Sequence, residues 1–135
     1  MVKKGSDYIR DIESIAFTRV KYAVQTLCTN VTNTYQDAPS SFPAMFFSQR
    51  DNPSVYEDLS GIENAVEPMI EIQSYTKGTT AYNDGKKIHN LSDKAMRDMG
   101  FRRTFGPQQV TNLSDTSITR VISRYTRIIA SGDSI

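Results

Sequence analysis

Apolar residues recur at Ile9, Ile12, Ala16, Val20, Ala23, Val24, Leu27 and Val31, with Ile15 and Phe17 widening the stripe. Arg10, Glu13, Arg19 and Lys21 fall outside it. Steps of three and four put these positions on one helical face, so the spacing predicts a helix from a cap at Ser6 or Asp7 to about Asn33. In QDAPSSFP (36–43) two prolines forbid its continuation. From Ala44 the run AMFFSQ reads as a short strand whose Phe46 and Phe47 point to opposite faces. Residues 50–66 lose periodicity and exceed the usual loop length, which predicts a long interaction loop or a solvated connector.

Met69–Tyr75 alternates again, with Ile70 and Ile72 on one face and Met69, Glu71, Gln73 and Tyr75 on the other. A second helix starts within 80–87 and carries Ile88, Leu91, Ala95 and Met99 at helical spacing. Gly100 stands where a left-handed stop is wanted. Phe101–Phe105 then reads as a strand ended by Gly106-Pro107, and 108–115 as a polar connection. Ile118–Ile129 is a long strand with neither face cleanly apolar, which predicts a bulge or a change of partner midway. The order is α-β-β-α-β-β. It describes one α+β domain over 1–135, with an antiparallel or mixed four-stranded sheet and two flanking helices.

Composition adds little to that outline, and charge adds one asymmetry. The 135 residues suffice for one buried core, yet 38% apolar content is lean. That fits a subunit completing its burial in an assembly, or a monomer with loose loops. Net charge is +1, but residues 1–68 hold six Lys/Arg against nine Asp/Glu, and residues 69–135 hold ten against six. A front half of −3 and a back half of +4 attract one another between copies. No apolar run reaches membrane-spanning length, and MVKKGSDYIRD lacks a signal peptide's apolar centre, so the chain reads as soluble and made in the cytoplasm. The three sequons, at Asn30, Asn90 and Asn112, then read as chance matches.

Catalytic signals are sparse. The single histidine, His89, reads as a surface helix residue that Asp93 at i+4 can pair with, and the single cysteine, Cys28, as a buried structural thiol. Neither stands beside a nucleophile–base arrangement or a metal-ligand spacing. YNDGKK lacks the spacing of a phosphate loop. Glu57, Asp58, Glu63 and Glu67 have little apolar cover to shift a pKa and read as a solvated face. No cofactor or metal is expected. Arg102, Arg103, Arg120, Arg124 and Arg127 carry more weight, because arginine forks hold carboxylates or phosphates at two points. With a net charge of only +1, protein contact outweighs nucleic acid as their role.

The runs EPMIEIQSYTKG (67–78), MRDMGFRRTFG (96–106) and RYTRII (124–129), with FPAMFF (42–47) before them, resemble the tail-completion or tail-terminator proteins of long-tailed bacteriophages. The resemblance covers nearly the whole chain and rests on pattern and short phrases. It implies a virion protein without catalytic residues or cofactor, assembled as a homo-oligomeric ring, typically a hexamer. Such a ring caps the head-proximal end of the tail tube, with tail tube protein on one side and a neck or head-completion protein on the other. DNA contact would run only through its lumen. A neck adaptor is the neighbouring alternative, and a small nucleic-acid-binding regulator a more distant one. A ring pairs unlike surfaces, so Asp51, Glu57, Asp58, Glu63 and Glu67 are expected to face the five arginines across the subunit boundary.

Overall fold

A computed structural model describes residues 5–35, 39–51, 54–55, 65–112, 115–130, 133 and 135. Helix α1 spans Gly5–Val24 and buries Ile12, Ala16, Val20 and Val24 completely, one per turn. It stops well short of Asn33. After Val24 the amides of Leu27 and Cys28 fold back onto the Val24 carbonyl, and Leu27 is 43% exposed. The β-branched Thr26, Thr29, Val31 and Thr32 favour extended backbone, and Asn30–Thr32 forms strand β1. Val31, which sits at helical spacing in sequence, is buried as a strand residue opposite Met45.

Strand β2 is Ala44–Asp51, and β3 and β4 are the two-residue strands Ser54–Val55 and Ala65–Val66. Strand β5 spans Met69–Lys77, helix α2 Ala81–Asp98, β6 Arg102–Val110, β7 Ile118–Thr126 and β8 Ile129–Ala130. The main sheet has five strands in the order β1-β2-β5-β7-β6, and β3-β4-β8 form a second, three-stranded sheet. The expected four-stranded sheet in α-β-β-α-β-β order is therefore incorrect. The added strands are two or three residues long, too short to leave a period in sequence. Mixed pairing does occur: β1 runs parallel to β2, and every other pair in the main sheet is antiparallel.

Gly106-Pro107 does not end β6. Its φ of +76° suits glycine, and a Cβ there would meet the Ile122 carbonyl oxygen at 2.0 Å. The strand shifts register between Arg103 and Gln108 and continues to Val110. Because β6 closes the strand order, proline's missing N–H is tolerated there. The change of partner expected in the last strand falls at Thr126, after which the chain resumes as β8 beside β4.

Both helices cover the same face of the main sheet. Ile12, Ala16, Val20 and Val24 of α1, and Ile88 and Met96 of α2, share one core cluster with Met45, Phe47, Ile70, Ile72 and Tyr125. The sheet residues all have one strand parity, and Phe17 meets Phe47 edge to face at 5.7 Å. Each such buried side chain contributes roughly 1.5–3 kcal/mol. Val66 and Ile129, from the small sheet, join this same core. Gly100 ends α2 with φ +83°, as expected, and the Phe101 amide returns to the Met96 carbonyl. The opposite face of the main sheet carries Phe46, Ser48, Glu71, Gln73, Tyr75, Arg120 and Arg124, and neither helix packs on it.

Candidate interaction surface

The outer face is organised by a carboxylate inside it. Glu71 lies mid-β5 between Ser48 and Arg124 on the neighbouring strands, and its side chain is only 2% exposed. Its Oε2 accepts from Arg124 Nε at 2.8 Å; its Oε1 accepts from Gln73 Nε2 at 2.7 Å and from an Arg50 terminal nitrogen at 3.3 Å. Gln73 Oε1 in turn accepts from the Tyr75 hydroxyl at 2.9 Å and from Arg120 at 3.5 Å. Burial, partly offset by the Arg120 charge, pushes the Tyr75 phenol above its ordinary pKa. The Arg124 guanidinium also stands 5.0 Å from the centre of the Phe105 ring. A carboxylate buried to this extent needs all these partners, since an unpaired charge there would cost several kcal/mol.

Arg50 and Arg124 keep half or nearly half of their side chains in solvent while Glu71 holds their near ends. They are pre-oriented cations whose remaining N–H groups point outward from the network. Arg120 carries a buried Nε without a hydrogen-bond partner among the described residues. Chemically this is a surface for carboxylates, not a reaction centre.

The five arginines singled out in sequence divide between the two sides. Arg120 and Arg124 lie on the outer face, and Arg102, opposite Thr126, shares it. Arg103 turns to the helix side and meets Asp93 at 3.2 Å. Arg127 donates to the Met99 carbonyl at the end of α2. Among the acids, Asp51 ends β2 in an exposed position, and Glu67 lies between β4 and β5. Glu57, Asp58 and Glu63 lie outside the described residues. Arg50 and Glu71 were not singled out in sequence, although a glutamate between Ile70 and Ile72 was the available signal.

His89 is not on the surface. It is 1% exposed, pressed between α2 and the sheet. Gly85, one turn earlier, lets the helix seat closely: a Cβ there would stand 3.2 Å from both Ser74 Oγ and Val121 Cγ2. Imidazole Nε2 lies 3.0 Å from the Val121 carbonyl and 3.1 Å from Ser74 Oγ, and Nδ1 lies 2.9 Å from Ser123 Oγ. A carbonyl can only accept, so the neutral ring with its proton on Nε2 satisfies the set, with Ser123 donating to Nδ1. Burial pulls the His89 pKa down to about 4, against the raising effects of the Val121 hydrogen bond and the Asp93 charge. Sealed from solvent, this Ser–His–Ser group is a packing device.

Asp93 pairs with neither His89 nitrogen. It accepts from Arg97 at 2.8 Å, from the Tyr125 hydroxyl at 2.9 Å and from Arg103 at 3.2 Å. Burial pushes its carboxyl up, but the Arg97 and Tyr125 hydrogen bonds and the two arginine charges hold it below its ordinary pKa. Burial, followed by the bond to Asp93, raises the Tyr125 phenol well above its own. Cys28 is buried, and burial pushes its thiol to about 11, which makes it inert at neutral pH.

A cleft of about 310 Å³ opens between Leu27, Phe42, Pro43, Lys77, Lys87 and Ile88. The Lys77 ammonium sits 4.8 Å from the Phe42 ring centre and 3.7 Å from Asp115. Among the described residues no three His, Cys, Asp or Glu side chains gather as a metal centre requires. Among the same residues no helix is long and apolar enough to cross a membrane. No protein-family model matches the chain, and no curated protein matches it either.

Proposed function

We propose that this protein is a non-enzymatic bacteriophage structural protein. It forms a ring, typically a hexamer, at the head-proximal end of the tail tube, ends tube polymerisation and joins the tail to the head. The observation that carries this reading is the two-sided architecture. Helices seal one face of the five-stranded sheet, and the other presents arginines standing on the buried Glu71 carboxylate. A head-to-tail ring needs unlike surfaces, and a cap needs one side that stacks on tube subunits and another that does not. The resemblance of 42–47, 67–78, 96–106 and 124–129 to tail-terminator proteins supplies the biological setting. Its location is then the neck end of the virion tail.

Purified protein added to polymerising tail-tube subunits tests this. A cap present at a few rings per tube end stops elongation and leaves tubes carrying a ring at one end. Unchanged elongation, with the protein bound instead to isolated neck complexes, would assign it to the head-closure side of the joint.

A further inference from the structure

The geometry points to a specific docking contact, which rests on the ring reading above: the outer-face arginine stripe of one subunit receives the acidic segment 56–64 of a second copy. The stripe consists of Arg102, Arg124 and Arg120 along β6 and β7, with Arg50 alongside on β2. These four arginines against the single Glu71 leave three positive charges on that face. The segment YEDLSGIEN (56–64) carries Glu57, Asp58 and Glu63 and no Lys or Arg, which makes three negative charges.

Spacing agrees with charge. Arg102 stands opposite Thr126, six positions along β7 from Arg120, and six extended residues cover ~20 Å. Glu57 and Glu63 are also six residues apart, so the chain between them can reach across ~20 Å at most. Both ends of the acidic segment are anchored together, because Val55 and Ala65 pair across β3 and β4. That root belongs to the helix side: Val66 is fully buried in the core shared by α1 and α2. The arginine stripe lies on the opposite face of the main sheet. The anchor therefore favours an arginine face on a neighbouring subunit over the segment's own.

Arg103 and Arg127 are excluded from the receptor. One is paired with Asp93 and the other holds the end of α2. Glu71 acts as a positioning residue, fixing the Arg124 and Arg50 side chains so that little freedom is lost on docking.

The experiment uses the intact chain in three forms: wild type, the receptor variant Arg102→Glu with Arg120→Gln, and the segment variant Glu57→Lys with Asp58→Lys. Circular dichroism of each should match wild type, since the receptor changes spare the Glu71 cluster. Sedimentation should show wild type associating at low salt and weakening as salt rises. Each variant should need at least about tenfold more protein to associate, as expected when charges at a contact are removed or reversed. Mixing the two variants leaves one intact contact, arginine face from one and acidic segment from the other, and should give a heterodimer that does not grow into a ring. Wild type remaining monomeric at low salt, either variant assembling like wild type, or a mixture that fails to pair would each overturn the contact. Capping of tail tubes separates this contact from the ring reading. Variants that cap tubes as well as wild type refute the contact alone. Charge-dependent pairing by a protein that never caps refutes the tail assignment alone.

Discussion

Lowering the pH from neutral should destabilise this fold through one residue, His89. In the folded chain its ring is neutral and pulled down to about 4, while an unfolded chain returns it to the ordinary 6.5. Between those values the unfolded state binds a proton that the folded state refuses. Stability is therefore full above pH 6.5, falls as pH drops through the window, and levels off below about 4. Each unit of separation is worth 1.36 kcal/mol, so a gap of 2.5 units amounts to about 3 kcal/mol in total. That is a large share of the 5–15 kcal/mol typical of a domain. Asp93 is the named charge near the ring, and it acts against the depression, so a stronger Asp93 effect would narrow the window.

Urea unfolding of wild type and His89→Gln from about pH 7.5 to 4.5 measures this directly. The glutamine variant will start less stable, because it repacks the space between Ser74, Ser123 and the Val121 carbonyl. The informative quantity is how the difference between the two proteins changes with pH, since every other titrating group cancels. It should shrink by about 2–3 kcal/mol from pH 7 to 4.5. Parallel curves, constant within about 0.5 kcal/mol, would refute the neutral, sealed imidazole.

Three further substitutions probe the remaining claims. Glu71→Gln removes the charge that Arg50 and Arg124 share, and should cost about 1–3 kcal/mol by chemical denaturation, below the full penalty of a sealed ion pair because both arginines reach solvent. Gly85→Ala gains about 1 kcal/mol of helix propensity, yet its Cβ meets Ser74 and Val121 at 3.2 Å, so a net loss in Tm is expected together with a raised His89 pKa by NMR titration. Arg127→Ala removes the donor to the Met99 carbonyl and should cost about 1–2 kcal/mol, with faster amide exchange in the last turn of α2.

Elements with a sustained period were legible in the sequence. Helix α2 and its stop at Gly100, strand β5 with its two distinct faces, and the break in the last strand all follow from spacing and punctuation. The end of α1 was not, because Leu27 and Val31 continue the helical spacing by coincidence while their β-branched neighbours form β1. The second sheet left no trace, since two-residue strands such as Ala65–Val66 have no period to detect. His89 was misread as exposed because its own helix gave no warning. The warning lay on the strands, where Ser74 and Ser123 occupy helix-facing positions that Ile70 and Tyr125 fill elsewhere. Small polar residues at core positions imply a polar group arriving from the opposite layer. For the interaction surface, sequence located the arginines but not their division, which depends on the shifted register of β6.

Capping is tested most directly by electron micrographs of phage particles assembled without this protein. Tail tubes of uncontrolled, extended length lying apart from filled heads are the predicted result. Tails of normal length already joined to heads would contradict the account at its centre.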